Sequence, residues 1–202
     1  MRKILLLVPV LLLLIAGCAT VATVPTLRST DQPATRAQLA TYFIDRLQLD
    51  KKLEVRVVVG DTSFKPAPTV LTKPERKPEI SDIGSLNRKE KADVEKAVEL
   101  GVLALYPDNT FRPMNWMSRA EFAVTLERIL VYFLGDRSLA TKFIGNTSPF
   151  ADVSNSHYAF NAIMTATTRG LMKGTTKGTF DPMGYISGKE ALAAIDRLKP
   201  LL

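Results

Sequence analysis

Apolar positions fall into several distinct regimes along the chain. Residues 4–16 are an almost unbroken apolar run, interrupted in character only by Pro9. Thirteen residues are too few to cross a bilayer, which takes about 20, and a proline inside the run argues against a permanent membrane helix. Residues 19–34 are rich in Thr, Ser, Pro and small side chains and read as a tether. From 36 to 49 the apolar residues recur every three to four positions, with Leu39, Ala40, Phe43 and Leu47 on one face, which predicts an amphipathic helix. Residues 53–59 alternate instead, predicting a short strand that ends at Gly60. Pro66, Pro68, Pro74 and Pro78, set among charged residues, then predict an exposed loop. Helical periodicity returns four times, over about 87–100, 119–134, 158–169 and 189–198. Gly101 and Gly170 stand directly after the first and third of these, where a helix stop needs a left-handed residue.

The second half of the chain repeats. Ile80-Ser81-Asp82-Ile83 corresponds to Phe150-Ala151-Asp152-Val153 at an offset of 70, and Gly101, Thr110-Phe111, Pro113 and Ser118 correspond to Gly170, Thr179-Phe180, Pro182 and Ser187 at an offset of 69. Each unit reads as turn, helix, glycine stop, tight loop, helix. Thr35-Arg36-Ala37-Gln38 matches Ser118-Arg119-Ala120-Glu121 and Ser187-Gly188-Lys189-Glu190, so residues 35–49 form a half-unit ahead of two full ones. In the tight loops Asn109 aligns with Gly178, the two residue types that best tolerate positive φ. Phe111 and Phe180 are expected beneath those loops as core plugs.

The start of each second helix has the form of a capping box, in which the Ser or Thr oxygen accepts an amide and the residue three positions on reaches back. That explains the first and fourth positions of the motif but not the arginine. Arg36 and Arg119 take the first helical position, where a cation opposes the helix dipole by about 0.3–1 kcal/mol. Two readings stand side by side. Either these arginines grip an acidic group on a glycan or wall polymer, or they form structural salt bridges to a neighbouring unit's carboxylate, Asp82 or Asp152. Lys189 stands one position later than its counterparts and cannot copy an arginine fork.

These residues resemble the S-layer homology domain. The resemblance rests on Phe150-Ala151-Asp152-Val153, His157-Tyr158-Ala159, the run from Tyr106 through Asn109-Thr110-Phe111 to Pro113, and Ser118-Arg119-Ala120-Glu121-Phe122. It implies a mainly α fold, a pseudo-threefold helical spindle with the capped second helices at its centre and grooves between units. It divides the chain into a half motif at 35–49, an insert at 50–79, a motif at 80–134, a linker at 135–149 and a motif at 150–202. It also implies non-covalent binding of peptidoglycan or an anionic secondary wall polymer. The candidate polymer contacts are Arg36, Arg119, Lys189, Asp82, Asp152, Tyr158 and Trp116. Tyr158 replaces the family's usual tryptophan and offers a ring either to a sugar or to the core. The first unit has no aromatic in that stretch. Trp116 is expected in the core or as a groove wall.

At the other end, Ile15-Ala16-Gly17-Cys18 after Arg2, Lys3 and the apolar run resembles the lipobox of bacterial lipoproteins. That implies a signal peptide over residues 1–17, a lipid on Cys18 and attachment to an envelope membrane. Ala19, rather than Asp, favours the outer membrane by analogy. Cys18 is the sole cysteine, so no intrachain disulfide forms, and a lipidated sulfur serves neither catalysis nor metal.

Loss of Arg2 and Lys3 lowers the formal charge from +7 to +5, which suits anionic partners. Nucleic acid is not expected, since no aromatic-basic stripe accompanies the charge. His157 is the single histidine, no thiol or histidine cluster suits zinc, and no phosphate loop follows a strand. No enzyme activity and no cofactor beyond the covalent lipid are therefore expected. The function predicted is a lipid-anchored link between a membrane and the wall. The alternative is a protein-interaction subunit of an envelope complex, favoured by the missing half motif, by Lys189 and by the apolar stretch 129–134. A small periplasmic enzyme is a third class for which no catalytic set is found.

Overall fold

The computed structural model of the chain describes residues 28, 30–49 and 79–202. The expected signal peptide, the Cys18 site, most of the tether, the 53–59 strand and the proline-rich loop lie outside them. The described residues hold five α-helices: α1 (Arg36–Leu47), α2 (Arg88–Glu99), α3 (Arg119–Leu134), α4 (Phe160–Thr168) and α5 (Gly188–Leu198). Short 3₁₀ turns cover Arg137–Ala140 and Lys199–Leu201. No strand occurs among the described residues, only three isolated bridges. The mainly helical bundle that the family resemblance implies is the fold observed.

Local chemistry accounts for the helix ends. Thr35 and Ser118 form the expected capping boxes, each side chain accepting the amide three residues on while Gln38 or Glu121 returns a bond to the cap amide. Asn87 and Glu90 form a third box at the start of α2. Ser187 accepts the Glu190 amide, but the Glu190 carboxylate meets Arg119 instead. Gly101 and Gly170 take φ of 66° and 68° after α2 and α4. Gln48 ends α1 in the same left-handed region, at φ 50°. The α4 boundary differs from expectation: the helix starts at Phe160, not 158. Residues 154–159 spend their hydrogen bonds on turns, with Ala159 donating to His157 Nδ1 at 3.2 Å and Phe160 to the His157 carbonyl at 2.8 Å.

α1, α3 and α5 start at one end of the bundle, where their leading loops close a ring. Ala34 N–H donates to Ile186 O at 2.9 Å, Ile186 N–H to Met117 O at 3.0 Å, and Met117 N–H to Ala34 O at 3.1 Å. The free amides of each helix start also find carbonyls in the next unit. Arg36 and Ala37 donate to Asn115 and Pro113, Arg119 and Ala120 to Gly184 and Pro182, and Gly188 and Lys189 to Gln32 and Thr30. Residues 30–34 thus do for α5 what two tight loops do for α1 and α3. The half-unit closes a pseudo-threefold ring although no helix precedes α1 among the described residues.

The core lies between the central helices. Phe43 stacks on Phe122 with centroids 5.9 Å apart, and Leu39, Leu126, Ile129, Ala194 and Ile195 are fully buried around them. α2 packs on α1, and α4 on α3. Phe111 and Phe180 are fully buried, as expected of plugs. The apolar stretch proposed as partner surface is largely spent inside: Ile129, Leu130, Val131 and Phe133 are buried, and only Leu134 is exposed. Within residues 135–149, the expected linker, two positions are held by α4. Asn161 donates to Leu139 O at 2.7 Å and accepts from Phe143 N at 2.8 Å, and Leu139 is buried.

Candidate functional site

The two arginines are built into the framework. Arg36 is 4% exposed; its Nε donates to Phe111 O at 2.8 Å and its Nη2 to Ala104 O at 2.6 Å. Arg119 is 7% exposed and repeats the arrangement one unit on, with Nε to Phe180 O and Nη2 to Lys173 O, both at 2.8 Å. Each guanidinium lies over the plug of the loop it clamps, 4.8 Å from the Phe111 centroid and 4.6 Å from Phe180. Burial lowers the Arg36 pKa, with Tyr106 and Glu121 opposing. The carboxylates they meet are not Asp82 and Asp152. Arg36 lies 3.9 Å from Glu121, and Arg119 bonds Glu190, each the fourth residue of the next unit's capping motif.

Asp82 and Asp152 hold the tight loops from the other side. Asp82 accepts the amides of Phe111 at 2.8 Å and Arg112 at 2.6 Å, and Asp152 those of Phe180 at 2.8 Å and Asp181 at 2.7 Å. These forks sit where Arg112 and Asp181 take φ of 57° and 58°, costly for residues with a Cβ. Burial works against the Asp152 charge, but the amides of Phe180, Asp181 and Asp152 itself, with the Arg119 charge, together outweigh it and hold its pKa below the usual carboxylate value. Asn109 and Gly178 take the positive φ expected of them, 59° and 72°.

Two equivalent grooves run between the units. The first, of about 170 Å³, is lined by Arg36, Tyr106, Glu121, Val124, Arg128 and Tyr158, with residues 103–105 as floor. The second, of about 220 Å³, is lined by Lys173, Ser187, Lys189, Glu190, Ala193 and Arg197. Counting from each cap, Glu121, Val124 and Arg128 match Glu190, Ala193 and Arg197. Tyr158 is 70% exposed and walls the first groove. Partial desolvation of its hydroxyl, then the Glu121 charge, raises its pKa. Burial lowers the Arg128 pKa, opposed by Glu127. Lys189 is exposed at the second groove. The equivalent face of α1 has Asp45 in place of Arg128. There Lys89, which holds the Tyr158 position counted from the glycine stops, bridges Asp45 at 2.9 Å and Asp93 at 2.7 Å.

Of the seven sequence candidates, the structure gathers Arg36 and Tyr158 at the first groove and puts Lys189 at the second. Arg119, Asp82 and Asp152 hold loops. Trp116 is not in the core and lines neither of these two grooves; it is 53% exposed at the ring end of the bundle. Sequence reasoning missed Glu121, Arg128 and Arg197. The capping box absorbed the glutamate, and the arginines look like ordinary surface charges until the fold turns them into grooves. Among the described residues no group of three His, Cys, Asp or Glu is placed to hold a metal ion.

Two segments of the chain, residues 81–123 and 149–192, match the S-layer homology domain family. The chain is also 39% identical over 85 residues to cell surface glycoprotein 1 of Acetivibrio thermocellus. The match covers 42% of this chain and 3% of that protein.

Proposed function

From a chain that carries two S-layer homology motifs, we propose a non-catalytic envelope link: lipid on Cys18 holds one end in a membrane, and the helical bundle grips peptidoglycan or an anionic wall polymer at its grooves. The observation that carries the reading is the first groove. A guanidinium at Arg128, the buried edge of Arg36 and an exposed Tyr158 ring surround one cleft. A cation for an acidic substituent beside an aromatic face for a sugar is the pairing such a polymer needs. Lys189 and Arg197 offer positive charge at the second groove, without a tyrosine among its lining residues. The Lys89 ion pairs occupy the third face, so one groove dominates.

The test is co-sedimentation with purified sacculi. Wild-type protein is expected in the pellet at low salt and progressively less at high salt. The double variant Tyr158→Ala, Arg128→Ala is expected to lower pelleting by about tenfold, the loss of roughly 1.4 kcal/mol, with an unchanged melting curve. Equal pelleting of wild type and variant would remove the groove reading. Protein that stays soluble with sacculi but co-purifies with a defined envelope protein would favour the protein-interaction subunit.

A further inference from the structure

The ring end of the bundle carries an apolar tip that the wall-binding reading leaves unused. Two loops each make a tight turn before they reach α3 and α5, Asn115 N–H donating to Arg112 O and Gly184 N–H to Asp181 O, both at 3.1 Å. Pro113, Met117, Pro182 and Ile186 point in and are buried, while Met114, Trp116, Met183 and Tyr185 point out. Each loop thus exposes a methionine and, two residues on, an aromatic, the two pairs related by the repeat offset of 69. Trp116 and Tyr185 meet edge to face with centroids 5.1 Å apart. Met183 is 75% exposed, Met114 44%, and the two aromatics 53% each.

The N-terminal segment joins the bundle at this same end. Thr30 and Gln32 accept the first amides of α5, and Ala34 belongs to the ring itself. Eleven residues separate Cys18 from Thr30, a reach of at most about 40 Å. A lipid on Cys18 would therefore hold a membrane within reach of this end of the bundle. The chemistry of the tip also separates a membrane from a sugar. The rings stand at 70° to one another, which gives no coplanar stacking platform. Flexible methionines beside Trp and Tyr, rings with an apolar body and a polar edge, match the headgroup boundary of a bilayer.

We propose that Met114, Trp116, Met183 and Tyr185 form a membrane-contacting tip that seats the bundle on the lipid surface. The proposal rests on the Cys18 anchor reading, and the two fail separately. Trp116 is the single tryptophan, so its fluorescence reports the tip directly. Full-length protein would be reconstituted into phosphatidylethanolamine–phosphatidylglycerol vesicles, with and without brominated acyl chains. Brominated lipid is expected to quench Trp116 at least about twofold and vesicles to shield it from aqueous iodide, as for an amphipathic surface contact. The triple variant Met114→Ser, Met183→Ser, Tyr185→Ser, all at exposed positions, keeps the reporter and is expected to lose most of that quenching with its helical circular dichroism intact. Trp116 that stays open to iodide and insensitive to brominated lipid overturns the proposal. So does shielding that appears only with added sacculi, or only as protein density rises, which would mean a wall contact or a second copy. Mass spectrometry of the N-terminal fragment reads lipid on Cys18 independently. A quenched but unlipidated chain would sink the anchor and keep the tip; a lipidated, unquenched chain would do the reverse.

Discussion

Arg36 and Arg119 occupy the position where a helix start repels a cation, and the structure supplies what offsets the repulsion. Each guanidinium donates to two carbonyls of a loop far along the chain, with Phe111 lying 75 residues from Arg36 and Phe180 61 from Arg119. Breaking such a clamp strands buried carbonyls and, at Arg119, leaves Glu190 without its guanidinium. Arg119→Ala is therefore expected to cost about 3 kcal/mol, measured by chemical denaturation, and Arg119→Lys most of that, because an ammonium cannot fork between Phe180 O and Lys173 O. Glu127 makes a second prediction at this scale. Burial raises its pKa to about 7 despite the amide of Asn161 and the charge of Arg128. The folded state thus holds a proton that the unfolded chain releases near its ordinary value of 4.5, so this group costs stability as pH rises from about 4.5 through 7. Glu127→Gln is expected to stabilise by about 1 kcal/mol at pH 8 and by far less at pH 5, read from paired melting curves. Caps and glycine stops were legible in the sequence because their partners lie within a few residues. The destinations of the arginines were not, because nothing local specifies which loop folds back over them.

At the scale of elements, two glycines in the second full unit carry different constraints. Gly170 ends α4 at φ 68°, and a Cβ there would meet nothing within 4 Å. Gly170→Ala is expected to cost about 1 kcal/mol, from backbone strain alone, with Gly170→Asn milder. Gly174 has no such φ, but a Cβ would come within 2.5 Å of Phe150 and 2.9 Å of the Thr179 carbonyl. Gly174→Ala must push apart the loop and the Phe150–Phe180 pair, whose centroids lie 5.6 Å apart. It is expected to cost about 2–3 kcal/mol, as overpacking does. Denaturant midpoints of the two variants, in that order, check both. The helix pattern itself was legible, since a 3.6-residue period survives any tertiary context. The start of α4 was not: Tyr158 and Ala159 continue the apolar pattern, but the turn through His157 captures their backbone first.

At the scale of the molecule, the closed ring decides how the repeats behave. An open array of repeats unfolds piecewise, because each unit meets only its neighbours. Here α5 takes its cap from Thr30 and Gln32 at the other end of the described chain. Unfolding is therefore expected to be a single transition, with Trp116 fluorescence and helical circular dichroism coincident. Replacing Gln32 and Pro33 by Gly-Gly is expected to loosen the closure and speed hydrogen exchange at Gly188 and Lys189 ahead of the α1–α3 core. The sequence by itself determined the repeat, the caps, the stops, the buried plugs and hence the helical bundle, because each rests on spacing within one element or on comparison of two units. Only the tertiary structure decided which charges become framework and which face a groove. Arg36 and Arg119 turn inward on to carbonyls, Arg128 and Tyr158 come together across a unit boundary, and Trp116 is left outside at the tip. Those outcomes depend on distances between residues far apart in the chain, set by how the ring closes, and no local pattern encodes them.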